Sequence, residues 1–436
     1  MNRLARAEGS ARVLALVKLV NVGFVLIWGF AVTYVFVRIL PIAEFQAFLL
    51  LVAFGNFTIS AEFGLTSIIY ARLRRYWLGA DGGDSGAFRL EEMGILFLFL
   101  GLLIAGAVAI LMIVLAAGWI GTAMPWLFLL FFLSACLNLP ALLAKRALAA
   151  IDGNFLWEAL DCGRRVVTIA LLIAILHGLD PHLSVALQLA VSALVIGFAI
   201  LTVHCRLGMR PGHWLAFRAG GGHVRRHYLR DIGASAAFTL SDIVAYNAPY
   251  FTIALATSDA RPMLIFDFFF KMSRALSMCV RAMVEAALPR ITRAHHAGDA
   301  MRLRQLLRRA TVAALAFALG LSAILLVGGP WLFAHLFDGR ATIHHGDMLL
   351  IAAALLGLSL ICVSVYVQAA LGRFAFLLRR SLPFLIGSLL SVPLAKAFLP
   401  GSFDSGVIGL YALTLLAVSV THAAALRDLA KGRLAP

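Results

Sequence analysis

Charge is what this sequence has least of. Only 13% of its 436 residues are Asp, Glu, Lys or Arg, whereas 62% are hydrophobic. A soluble chain of that length needs far more polar surface, so an integral membrane class follows, as the mean hydropathy of +0.95 also indicates. The strict apolar–polar alternation of a membrane β-barrel is missing as well. So is every compact catalytic signature sought: no G-x-x-x-x-G-K-[ST] phosphate loop, no H-E-x-x-H and no G-x-S-x-G. These absences exclude P-loop hydrolysis of ATP, helix-borne zinc protease chemistry and the nucleophile elbow.

Other scarcities narrow the reading. The five cysteines (Cys136, Cys162, Cys205, Cys279 and Cys362) are scattered within or at the ends of apolar segments. They read as small buried hydrophobes, not as a disulfide framework or a metal set. The pairs His295–His296 and His344–His345 lack the i,i+4 spacing that converges on a metal, so no metal is expected. No loop is long enough to fold as a domain. Membrane-embedded glycan polymerases and ligases need a substantial outer loop, and the longest one here, about 332–346, carries no evident acid/base pair. A carrier is expected, not an enzyme.

What the chain does contain is a succession of apolar runs of about 20 residues, each long enough to cross a hydrocarbon core as a helix. The first, starting near Ala15, is too long for a signal-peptide core and reads as a retained span. Twelve spans are predicted: 14–37, 44–70, 93–117, 124–148, 157–178, 183–204, 231–256, 262–288, 309–331, 347–371, 377–398 and 406–426. The fold class is therefore an all-α polytopic membrane protein. Residues 1–205 and 231–436 form two six-helix lobes, joined by a linker, 206–230, whose run Gly220, Gly221, Gly222 suggests flexibility.

Basic residues orient the spans. Of 37 Lys and Arg, 28 fall at the N-terminal end or in the loops on that same side, and four (Arg38, Arg261, Arg340 and Lys396) on the other. The positive-inside rule places both termini in the cytoplasm. Most of the formal +16 is thus topology plus attraction to anionic membrane lipid, and no nucleic-acid partner is required. Arg72, Arg74 and Arg75 read as membrane-edge anchors. The stretch MRLRQLLRRA, 301–310, reads as an interfacial amphipathic helix leading into the ninth span.

The remaining five cations lie within spans: Arg164, Arg165, Lys271, Arg274 and Arg281. Helical spacing gathers Asp267, Lys271, Arg274, Arg281 and Glu285 into an arc of roughly 80°, running about 27 Å along the helix, with Met278 between them. Phe269, Leu276 and Val280 occupy the opposite side. Each charge would cost at least ~2.5 kcal/mol facing lipid, so the stripe must face protein or water. Pairing of Asp267 with Lys271 and Arg281 with Glu285 would brace the helix, yet it leaves Arg274 with no partner on its own helix. Glu62 lies deep in the second span. Asp161, Arg164 and Arg165 lie in the fifth, where the arginines either snorkel to headgroups or meet a ligand. Asp242 sits mid-span, followed by Asn247 and by Pro249, which removes a backbone hydrogen bond and permits a kink.

Three stretches carry a family resemblance: VRILPIAEFQAFLLL (37–51), AEFGLTSIIYARLRR (61–75) and ALPRITRAHHAGDAMRLRQLLRRA (287–310). They resemble the multidrug/oligosaccharidyl-lipid/polysaccharide (MOP) exporter superfamily, in particular its Wzx-like polysaccharide flippases. Gln46 departs from the pattern, standing where a glycine is common. The resemblance implies a MATE-like pair of lobes around a central cavity, in the bacterial cytoplasmic (inner) membrane. It implies an undecaprenyl-pyrophosphate-linked oligosaccharide as cargo, with polysaccharide polymerase and export proteins as further partners. The expected substrate-binding residues are Lys271, Arg274, Arg281, Arg164 and Arg165. Glu62, Asp242, Asp267 and Glu285 are the expected groups for H+ or Na+ coupling, and no other cofactor is expected. The alternative is a cation-coupled MATE-type multidrug exporter.

Overall fold

The computed structural model of the protein describes residues 11–60, 65–77, 79, 88–371 and 373–431. Among these, the secondary structure is helical, with no strand. The helices are α1 (Ala11–Ile39), α2 (Ile42–Ser60), α3 (Leu65–Trp77), α4 (Glu91–Ala116), α5 (Pro125–Cys136), α6 (Asn138–Ala150), α7 (Asn154–Leu176) and α8 (Pro181–Arg206). They continue with α9 (Pro211–Leu215), α10 (Phe217–Ala256), α11 (Arg261–His296), α12 (Ala300–Leu336), α13 (His345–Ala370), α14 (Phe374–Phe398) and α15 (Phe403–Ala430).

Helix starts follow local chemistry. Pro125 and Pro181 sit in the first turn of their helices, where a missing N–H costs nothing. The Asp180 carboxylate accepts from Leu183 N at 2.9 Å, and Asp299 from Arg302 N at 2.9 Å, each satisfying an orphan donor. At their ends, α7 and α11 run into Gly178 and Gly298, both at positive φ.

Eight helical segments among the described residues are long and apolar enough to span a membrane, α5 and α6 together forming one of them (Pro125–Ala150), and α2 is a shorter apolar helix over Ile42–Asn56. The other predicted spans are helical too, but α7, α10 and α11 carry several charges each. The protein is a multi-pass membrane protein whose more polar spans hold the candidate chemistry.

The chain divides into two compact units, Met1–Thr239 and Leu240–Pro436. The first has an aromatic core in which Phe48 stacks on Phe36 at 4.4 Å and meets the Phe131 ring at 4.7 Å. In the second, α13 packs against α11, α12 and α15, around a cluster of Tyr250, Phe266, Phe269 and Tyr411.

The segment 206–230 is not a loose tether. It holds α9 and the opening turns of α10. A Cβ on Gly220 would lie 2.7 Å from Ile95 Cγ1 and 3.0 Å from the Glu91 carbonyl, so this glycine serves a close approach to α4. Arg72, expected as an edge anchor, is buried instead. Its Nη2 lies 2.9 Å from Glu92 Oε1, and His223 Nε2 is 3.0 Å from the same oxygen. That cluster ties α3, α4 and α10 together. The stretch 301–310 forms the start of α12, with Leu303 and Leu307 buried and Arg302, Arg304, Arg308 and Arg309 exposed. Cys136 and Cys362 are buried as expected, whereas Cys205 is exposed; all five cysteines are free thiols.

Gly387 fixes the spacing of α14 and α15, because a Cβ there would fall 2.3 Å from Thr414 Cγ2. Gly387→Val is expected to force the helices apart and destabilise the protein by about 1–3 kcal/mol, the usual range for overpacking. A lowered thermal midpoint in detergent checks this; an unchanged midpoint contradicts it.

Candidate functional site

In the second unit, α11 places its charges as helical periodicity requires, but the stripe has two different halves. Asp267 is 1% exposed. It accepts a 2.8 Å hydrogen bond from the Tyr250 hydroxyl and forms an ion pair with Lys271. Further along, Arg281 Nε lies 2.7 Å from Glu285 Oε1, with both side chains half exposed. The Arg281 guanidinium also lies 5.9 Å from the Tyr366 ring centroid. Both i,i+4 pairs therefore form. Leu276, Val280 and Val284, on the apolar side, are buried.

Arg274, between the pairs, is exposed and has no carboxylate within ion-pair distance among the described residues. Its guanidinium lies 5.8 Å from the Phe270 ring centroid. Asp242, on α10, is within Coulomb range of it but makes no ion pair or hydrogen bond among the described residues. The kink residue nearby is fastened. Pro249 cannot donate to the Ala245 carbonyl, and that oxygen instead accepts from Ser388 and, at 3.2 Å, from the Tyr411 hydroxyl.

In the first unit, α7 brings Glu158, Asp161, Arg164 and Arg165 to one face through their three- and four-residue spacings. Arg164 and Arg165 do not snorkel; their side chains are 8% and 17% exposed. Arg164 Nη2 lies 2.6 Å from Asp161 Oδ1, and Arg165 Nε is 3.0 Å from Asp161 Oδ2. Asn21 of α1 completes the network. Its amide donates to Glu158 at 2.6 Å and Asp161 at 3.0 Å, while its oxygen accepts from Arg165 at 3.1 Å. Lys145 of α6 stands 3.4 Å from Glu158. A cavity of about 50 Å³ opens beside Arg164 and Arg165, lined also by Asn138, Thr168, Gln188 and Ser192.

Lys271, Arg274 and Arg281 thus share one helix, and Arg164 and Arg165 share one cavity wall. Asp267 and Glu285 are committed to ion pairs, Asp242 is not, and Glu62 lies outside the described residues. Asn21, Lys145, Glu158 and Tyr250 were not read from the sequence as site residues. A polar side chain within an apolar run was the only signal that Asn21 offered.

No family model matches the sequence, and neither does any curated protein. Solved structures do match. The Vibrio cholerae MATE transporter VcmN, in its bent form, gives a TM-score of 0.64 at 15% identity, covering 99% of this chain and 99% of that one. An inward-facing multidrug resistance MATE family transporter of the MOP superfamily gives 0.65 at 13% identity, covering 96% and 99%. The eukaryotic MATE transporter AtDTX14 gives 0.64 at 14% identity, covering 98% and 97%. The fold is therefore that of the MATE transporters, over nearly the whole chain.

Proposed function

We propose that the protein is an exporter of an anionic amphiphile, namely a polyprenyl-pyrophosphate-linked oligosaccharide that it flips between leaflets for surface polysaccharide synthesis. One observation carries the reading. In the polar spans, Asp161, Asp267 and Glu285 are held by cations, whereas Arg274 has no ion-pair partner among the described residues. A site for organic cations needs uncommitted carboxylates; a site for phosphate needs uncommitted guanidinium. The planar fork of arginine matches phosphate oxygens, and Arg274, Arg281 and Lys271 line a path along α11 for a headgroup to follow. Alternating exposure of that path to the two leaflets would complete the cycle, with both termini cytoplasmic.

A second reading, a cation-coupled multidrug exporter, is favoured by Asp242, the carboxylate in these spans without an ion-pair partner among the described residues, and by the multidrug transporter among the structural neighbours. The test is deletion of the gene with two readouts. Loss of surface glycan at unchanged resistance to cationic dyes is the expected result. Lost resistance with intact glycan would establish the second reading instead.

A further inference from the structure

We propose that the cavity of the first unit is an oxyanion pocket that takes a single phosphate group. It lies within the first unit, lined by residues of α1, α5, α6, α7 and α8, and its donors have been left unspent. Arg164 uses Nε and Nη2 on Asp161, and Arg165 uses only Nε, on Asp161 and Asn21. Arg164 Nη1 and both terminal nitrogens of Arg165 have no hydrogen-bond partner among the described residues. Both arginines line the cavity, and the Arg164 side chain is more than nine-tenths buried. The Ser192 hydroxyl, 3% exposed as a residue, makes no hydrogen bond among the described residues either. The amides of Gln188 and Asn138 each spend one N–H, on Ser184 at 3.3 Å and on the Ala135 carbonyl at 2.9 Å. Each has a second N–H left to give.

Charge points the same way. The cluster holds three cations (Lys145, Arg164 and Arg165) against two carboxylates (Glu158 and Asp161), an excess of one positive charge. That excess is carried on Lys145, whose side chain is 41% exposed, so it biases the field of the cluster toward an anion while the buried pairs balance one another. The volume of about 50 Å³ is several times the roughly 10–15 Å³ that one water requires, so it accommodates a group presenting a few oxygens. Guanidinium-bearing arginines that share a cavity lining with a hydroxyl and two amide side chains suit a tetrahedral oxyanion better than a spherical halide. The pocket deepens the cargo reading above and rests on it for the source of the phosphate, a lipid headgroup or a free anion.

The test uses the purified full-length protein in lipid nanodiscs, titrated with inorganic phosphate, with a water-soluble short-chain prenyl pyrophosphate and with chloride at matched ionic strength. Both phosphate probes are expected to raise the thermal midpoint saturably, while chloride does not. Tighter binding of the prenyl pyrophosphate identifies a headgroup site, and equal binding identifies a free-anion site. Arg165→Gln should weaken phosphate binding by about tenfold or more, the worth of one hydrogen bond to a charged group. Ser192→Ala, which keeps the whole charge network, supplies the same comparison should Arg165→Gln fail to fold. Arg302→Gln, on the exposed turn of α12, should leave the affinity unchanged. An absent phosphate effect, an equal chloride effect, or indifference to both pocket variants would overturn the pocket. Phosphate binding without glycan export would keep the pocket and discard the cargo reading, whereas export without phosphate binding would do the reverse.

Discussion

Arg274→Ala is expected to reduce glycan export by about ten- to a hundredfold at matched membrane expression, with little change in thermal stability. The range corresponds to losing one charge-assisted hydrogen bond to phosphate, about 1.5–3 kcal/mol. Arg274 is exposed and holds no carboxylate within ion-pair distance among the described residues, so its removal breaks no ion pair there. Arg274→Lys keeps the charge and loses the fork, and should recover only part of the activity. Arg281→Ala should cost less, because Arg281 is already held by Glu285 at 2.7 Å. Flipping measured in membranes from strains carrying each variant settles the order. Full activity in Arg274→Ala would remove Arg274 from the transport path.

Asp267→Ala is expected to act in the opposite way, through stability. The carboxylate is 1% exposed and holds both Lys271 and the Tyr250 hydroxyl. Deleting one partner of a buried pair leaves an uncompensated charge, at a cost of about 3–5 kcal/mol. The double variant Asp267→Ala, Lys271→Met removes that charge and should regain most of the loss, a coupling that a double-mutant cycle measures directly. Thermal unfolding in detergent reads all three proteins. If Asp267→Ala is no less stable than the double variant, the pair does not brace α11 and both groups are free for transport.

The helices were legible because long apolar runs have one reading in a membrane protein. The pairs Asp267–Lys271 and Arg281–Glu285 were legible because four-residue spacing fixes neighbours on a helix. What escaped depends on tertiary contact. Asn21 meets Glu158 across 137 residues of sequence, and nothing local to either announces the other. Arg72 stands in a basic cluster that ordinarily marks a membrane edge, and only the fold reveals Glu92 and His223 around it. The glycine run at 220–222 misleads for a related reason. Glycine signals either freedom or closeness, and at Gly220 the packing of α10 on α4 decides for closeness. Tyr250 sits among aromatics that read as core, and its hydroxyl gains a role only through Asp267.

The most direct measurement reconstitutes the purified protein into liposomes with a fluorescent polyprenyl-pyrophosphate-linked oligosaccharide in one arm and ethidium, an organic cation, in the other. Faster movement of the glycan lipid between leaflets, slowed about ten- to a hundredfold by Arg274→Ala and unmatched by any ethidium flux, is the predicted result. Ethidium transport that depends on Asp242, with the glycan lipid left where it started, would contradict it.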